Sequence, residues 1–119
     1  MIVLDTNVFI YLSNGTIDRR IIADTDIAYA GITKIEALGF SSIPANELLL
    51  LDALFSESYS YTLTDSIVER AIKLRQLKHM SLGDSIVAAT ALEHSLTLWT
   101  ANTDDFSHIE GLKLVNPLS

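Results

Sequence analysis

Met1-Ile-Val-Leu-Asp5-Thr-Asn-Val-Phe-Ile-Tyr-Leu12 opens the chain. Ile2, Val3 and Leu4 form an apolar, β-branched run that is too short for a helix and suits a buried strand. Asp5 follows directly, Thr6 and Asn7 supply turn or cap chemistry, and Val8 to Leu12 predict a short helix closed by Asn14-Gly15. A strand that ends in Asp-Thr-Asn sets a carboxylate at the C-terminal edge of a parallel sheet. In open α/β folds ligands bind at that edge.

The remaining segments supply the rest of such a sheet. Thr16 to Ala23 predicts a second short helix capped by Thr16, and Ile27 to Ile32 a second strand. Thr33 then opens a helix through Leu38 that ends near Gly39. Ser41 to Phe55 predicts a helix starting near Pro44, apolar on more than one face and so expected to be covered on two sides. Tyr59 to Leu63 alternates as a third strand. Thr64 caps a helix whose apolar positions are Ile67, Ala71, Leu74 and Leu77. Ser81 to His94 predicts a deeply buried helix, and Leu96 to Thr100 and Leu112 to Val115 two last strands. Strands alternating with helices predict βαβ crossovers and a parallel sheet of about five strands covered on both faces, a three-layer α/β/α domain spanning residues 1–119.

Composition limits the function. The 119 residues are 49% hydrophobic and 19% charged, an excess of apolar surface that suits a dimer or partner interface. The Leu48 to Phe55 segment is the candidate for that contact. There is no Cys, which excludes disulfides and thiolate zinc sites. No apolar run approaches the roughly 18 residues of a membrane helix, and no basic segment leads into an apolar one, so a cytoplasmic protein is expected. The net charge of -7 opposes long-range capture of nucleic acid. Acids that hold a metal ion offset part of that charge, however, and Arg70, Lys73, Arg75 and Lys78 fall in one segment, where they are expected to face solvent.

Four acidic positions fall at strand ends or helix starts: Asp5, Glu36, Asp84 and the pair Asp104-Asp105. In a parallel sheet these junctions share one edge, where the carboxylates would repel one another unless a cation sat between them. Oxygen donors without sulfur suit Mg²⁺ or Mn²⁺. Each acid also has a purely structural account. Thr33-x-x-Glu36 and Ser81-x-x-Asp84 both have the form of a capping box, and Asp5 fits a plain N-cap. Asp84, however, opens a helix too apolar for an idle charge. Taken together, the four favour a site. His79, His94 and His108 match no metal spacing, and Trp99 fits a core position.

The stretches I-V-L-D-T-N-V-F-I at Ile2 to Ile10, I-T-K-I-E-A-L at Ile32 to Leu38, G-D-S-I-V-A-A-T-A at Gly83 to Ala91 and L-W-T-A-N-T-D-D-F at Leu98 to Phe106, with G-L-K-L-V-N-P at Gly111 to Pro117, occur in this order over the whole chain. In that order the chain resembles a PIN-domain ribonuclease, and more narrowly the toxin of a VapBC-type toxin–antitoxin pair. The resemblance implies a PIN-like α/β/α fold and a Mg²⁺-dependent endoribonuclease, with Mn²⁺ as a substitute. It implies RNA as substrate, cut to leave a 5′-phosphate and a 3′-hydroxyl, a cognate antitoxin as partner, and a homodimer. It makes Asp5, Glu36 and Asp84 catalytic metal ligands. The T-x-N-x-x-D-F pattern makes Asp105 the fourth, with Asn102 a neutral neighbour and Asp104 solvated. Thr6, Asn7 and Thr100 match polar positions that orient water or phosphate.

Two other assignments within the same fold are a PIN nuclease of RNA processing or turnover and a non-catalytic binding module. The second would lack the acids. Asp-Thr-Asn is not the Asp-x-Asp of Mg²⁺-dependent phosphatases, no late Lys supports a receiver domain, and neither glycine-rich nucleotide motif occurs.

Overall fold

The computed structural model describes residues 1–118. Five strands, β1 (Ile2–Leu4), β2 (Ile27–Ala30), β3 (Tyr59–Tyr61), β4 (Thr97–Trp99) and β5 (Leu114–Val115), form one all-parallel sheet in the order β3-β2-β1-β4-β5. β1 is central, with Val3 in register with Ala28 on one side and Leu98 on the other. Two crossover directions start from this strand, so its C-terminal end is the switch point at which an open α/β sheet leaves a crevice.

The helices are α1 (Thr6–Asn14), α2 (Gly31–Leu38), α3 (Ala45–Ser56), α4 (Asp65–Leu77) and α5 (Leu82–Glu93). Alternation along the strands divides the core in two. Leu4 and Tyr29 point to α1 and α3, where Phe9 stacks on Phe55 at 4.3 Å and Tyr29 meets both rings edge-on. Val3, Ala28, Ala30 and Leu98 point the other way, onto α4 and α5, through Ile67, Ala71, Val87 and Ala91. The small residues of β2 and α5 let that helix lie close on the sheet, which is why it reads as apolar almost all round.

Local chemistry sets the helix ends. Gly15 closes α1 at φ 85°, a left-handed conformation that favours glycine. Thr64 accepts from the Ile67 N–H to start α4, and Ser81 accepts from the Asp84 N–H at 3.1 Å to start α5.

Several expected boundaries move. Thr16 to Ala23 is not an α-helix. It holds a short 3₁₀ turn over Arg19–Ile22, capped by Asp18, because the Thr16 N–H is taken by the Asn14 side chain and the Asp18 carboxylate grips Arg20. β2 stops at Ala30 rather than Ile32. α2 starts at Gly31, two residues before Thr33, with no side-chain cap. Leu77 is 82% exposed at the end of α4, outside the core stripe it was expected to join. α3 buries only Leu51 and Phe55, while Leu48 and Leu49 stand in solvent, so one of its two apolar sides has no cover within the chain.

Candidate active site

Asp5 ends the central strand and caps α1. Its Oδ1 accepts the Thr6 N–H at 2.8 Å, and its Oδ2 accepts the Thr100 hydroxyl at 2.9 Å. Thr100, fully buried just beyond β4, is held in turn by the Asn102 N–H, which donates to its hydroxyl oxygen at 3.0 Å. Asp5 is only 7% exposed. Burial raises its pKa, the two hydrogen bonds oppose that, and the nearby charges of Glu36 and Asp105 add to the rise.

Glu36 reaches the same place from α2. Its Oε1 accepts the Thr6 hydroxyl at 2.9 Å. The Thr33–Glu36 capping box therefore does not form. Thr33 lies inside the helix, wholly buried, and its hydroxyl has no hydrogen-bond partner. Gly83, in the first turn of α5, makes room for the Glu36 carboxylate. A Cβ there would stand 2.9 Å from Oε2 and 3.3 Å from Cδ. Glycine is a poor helix residue at this position unless close approach requires it.

Asp84 follows Gly83 at the α5 N-terminus. Its carboxyl is pushed up to about 6, first by burial and then by the charge of Asp5, with smaller contributions from Asp105 and Glu36; the Ser81 hydroxyl works against the rise. Asp105 belongs to the short 3₁₀ turn after β4 and acts on both Asp5 and Asp84. The four acids thus share one electrostatic neighbourhood at the C-terminal edge of the sheet. A cleft of about 200 Å³ opens beside two of them, Asp84 and Asp105, lined also by Lys78, His79, Met80, Ser81 and Asp104.

Among the described residues, no three acidic or histidine side chains already converge as a finished metal cage. The donor set nevertheless fits a divalent ion. It is all oxygen, and the two ion pairs of the described chain, Arg20–Asp18 and Arg70–Glu93, use none of its acids. Mg²⁺ retains several waters and needs only one or two carboxylates, which matches an open group of acids better than a closed cage.

Thr6, Thr100 and Asn102 all take part in this network. Thr6 engages Glu36 through its side chain, and Asn102 acts through its backbone rather than its exposed side chain. Asn7, in the first turn of α1, lines an apolar groove with Ile10, Phe40 and Pro44. Asp104 is solvent-exposed, as expected, and is also part of the cleft wall. Gly83 was missed by sequence reasoning, although a glycine beside an acid in the first turn of a buried helix is a legible signal. Arg70 and Arg75 face solvent, as expected, and also bond Glu93 and the Met80 carbonyl.

A family model described as PIN domain matches residues 2–112. No curated protein matches the chain. Among solved structures, a toxin–antitoxin complex from Klebsiella pneumoniae contains a chain 31% identical at TM-score 0.75, with 98% of each chain covered. VapBC2 from Rickettsia felis, crystallised on a DNA fragment from its promoter, matches at TM-score 0.80 and 24% identity over 98% of both chains. VapBC-1 from nontypeable Haemophilus influenzae matches at TM-score 0.78 and 23% identity over the full length of both. These last two likenesses bear on the fold alone.

Proposed function

The chain belongs to the PIN domain family, and from that premise we propose that it is a metal-dependent endoribonuclease, the toxin of a VapBC-type toxin–antitoxin pair acting in the cytoplasm. The observation that carries this is the shared electrostatic neighbourhood of Asp5, Glu36, Asp84 and Asp105 at the end of the central strand, with no cation among the described residues paired to them. A structural protein would gain nothing by holding a half-buried Asp84 at about 6 against three like charges. The likeness to the Klebsiella complex supports the toxin role.

Asp5, Glu36, Asp84 and Asp105 are the residues that would hold Mg²⁺, or Mn²⁺ in its place. When bound, the ion supplies Lewis-acid polarisation of the phosphodiester and an acidified water for in-line attack. The protein's own part is positional. Thr100 and the Thr6 N–H fix both oxygens of Asp5, so the most buried acid has one orientation. The Thr6 hydroxyl donates to Glu36 Oε1 and Gly83 leaves room for Oε2, which sets the second acid beside the first. Ser81 ties the start of α5, and with it Asp84, to the rim of the cleft. Cleavage leaves a 5′-phosphate and a 3′-hydroxyl.

The exposed Phe40, which lines the apolar groove, and the exposed Leu48 and Leu49 of α3 supply apolar surface for an antitoxin or a second protomer. The test is cleavage of a mixed RNA pool with Mg²⁺ or Mn²⁺, beside Asp5→Asn and a chelator. Cleavage lost in both controls is the expected result. Cleavage that survives either one contradicts the proposal.

A further inference from the structure

The four residues between α4 and α5 form a short, firmly held loop. The Lys78 N–H donates to the Leu74 carbonyl at 3.3 Å, Met80 is buried in the core, and Arg75 Nε donates to the Met80 carbonyl at 3.3 Å. Ser81 then caps α5. Pinned at both ends, the loop leaves Lys78 and His79 with exposed side chains. Both line the 200 Å³ cleft that Asp84, Asp104 and Asp105 share, and they are the basic side chains among its walls.

These two groups stand beside three carboxylates, yet neither pairs with one. The ion pairs among the described residues are Arg20–Asp18 and Arg70–Glu93. A lysine kept only to offset the acids would close on Asp104 or Asp105. The chain as a whole, at -7, repels a polyanion at long range, so attraction for RNA phosphate must be local to the site. A lysine offers a phosphate a mobile point charge, and an imidazole offers it an N–H donor.

We propose that Lys78 and His79 form a phosphate-binding lip on the acidic cleft, gripping an RNA backbone phosphate adjacent to the one that is cleaved. This rests on the nuclease assignment and adds to it the positive half of the substrate site. The lip binds substrate rather than taking part in bond cleavage.

The experiment compares Lys78→Gln and His79→Gln with Lys113→Gln, a lysine that does not line the cleft. Each lip variant should raise KM for single-stranded RNA roughly three- to fivefold, the range of an exposed charged contact, with kcat changed little. For Lys78→Gln on an Asp5→Asn background, the slope of log affinity against log salt should fall by about 0.7, the share of one phosphate contact on a single strand. Lys113→Gln should leave KM and slope alone. A KM unmoved by the lip variants, or an equal loss in Lys113→Gln, overturns the proposal. A second readout is independent of cleavage. With Mg²⁺ present, inorganic phosphate should shift the ring resonances of His79 and leave those of His94 and His108, which lie outside the cleft. If His79 responds but no RNA is cut, the lip stands and the nuclease assignment falls. If RNA is cut while KM and His79 are unmoved, the nuclease stands and the lip falls. If RNA is neither bound nor cut and His79 is silent, both fall.

Discussion

Thr33-Lys-Ile-Glu36 and Ser81-Leu-Gly-Asp84 have the same form in the sequence, a hydroxyl residue followed three positions later by an acid. The structure uses them differently. Ser81 is a true N-cap, its hydroxyl oxygen accepting the Asp84 N–H. Thr33 is no cap at all, because α2 has already begun at Gly31, and its hydroxyl is buried without a partner while Glu36 turns away to Thr6. Two residues of difference in where a helix starts convert a local stabilising motif into a long-range link between α2 and the central strand. The acids end up together either way, but only Asp84 is held by its own cap.

Five substitutions, one of them read across pH, break or sharpen that contrast. The largest effect belongs to Glu36→Gln. Glutamine fills a capping box as well as glutamate does, so a capping role predicts little change. As a metal ligand, Glu36→Gln should lower RNA cleavage at least about a hundredfold, as loss of a charged group at a reacting centre does, with Tm kept. Gly83→Ala comes next. The new Cβ would meet the Glu36 carboxylate at 2.9 Å. Mn²⁺ affinity should fall about tenfold, while the helix itself gains roughly 0.5–1 kcal/mol from alanine. Lower affinity with equal or higher Tm is the signature, and unchanged affinity would remove Gly83 from the site.

Asp84 separates stability from function through pH. Its folded value lies near 6 against an ordinary 3.8, so the folded chain binds the extra proton between those values. Stability from this group is therefore greatest below pH 4, falls as pH rises from about 4 to 6, and stays low above that. In metal-free buffer at pH 7, Asp84→Asn should melt several degrees higher than wild type, and the gap should close toward pH 4. A lower Tm for Asp84→Asn at pH 7 would mean that the carboxylate is structurally paired.

Ser81→Ala should cost about 1 kcal/mol, the usual value of a lost cap, or roughly 4 °C in Tm. Thr33→Val should cost nothing or raise Tm slightly, since it removes an unpartnered buried hydroxyl at constant shape. If the two variants lost stability equally, the two motifs would be equivalent after all.

The parts of the fold with strong local signals were legible from sequence. The run Ile2 to Leu4 before Asp5, the Thr64 cap with Ile67, Ala71 and Leu74 at helical spacing, and the apolar length of α5 each identify an element without help from its neighbours. The start of α2 was not legible, because glycine and alanine there offer no cap and Thr33 mimics one. The 3₁₀ turn at Arg19 was missed since it is capped by Asp18, whose carboxylate accepts the Arg20 N–H, rather than announced by an apolar pattern. At the site, the acids could be picked out at strand ends and helix starts, and the family resemblance singled out Thr100, but its bond to Asp5 spans 95 positions and was not legible. The Thr6–Glu36 bond spans 30 positions, and no spacing in the sequence encodes it.

The most direct test is calorimetric titration of Mn²⁺ into the purified wild type and Asp84→Asn, at pH 7.5 and pH 5.5. Four carboxylates in one neighbourhood predict binding by the wild type at pH 7.5, weaker by about fourfold at pH 5.5, where Asp84 is mostly protonated, and weaker by at least as much in Asp84→Asn at either pH. Equal Mn²⁺ binding in wild type and Asp84→Asn, or none in either, would contradict a metal centre at the end of the central strand.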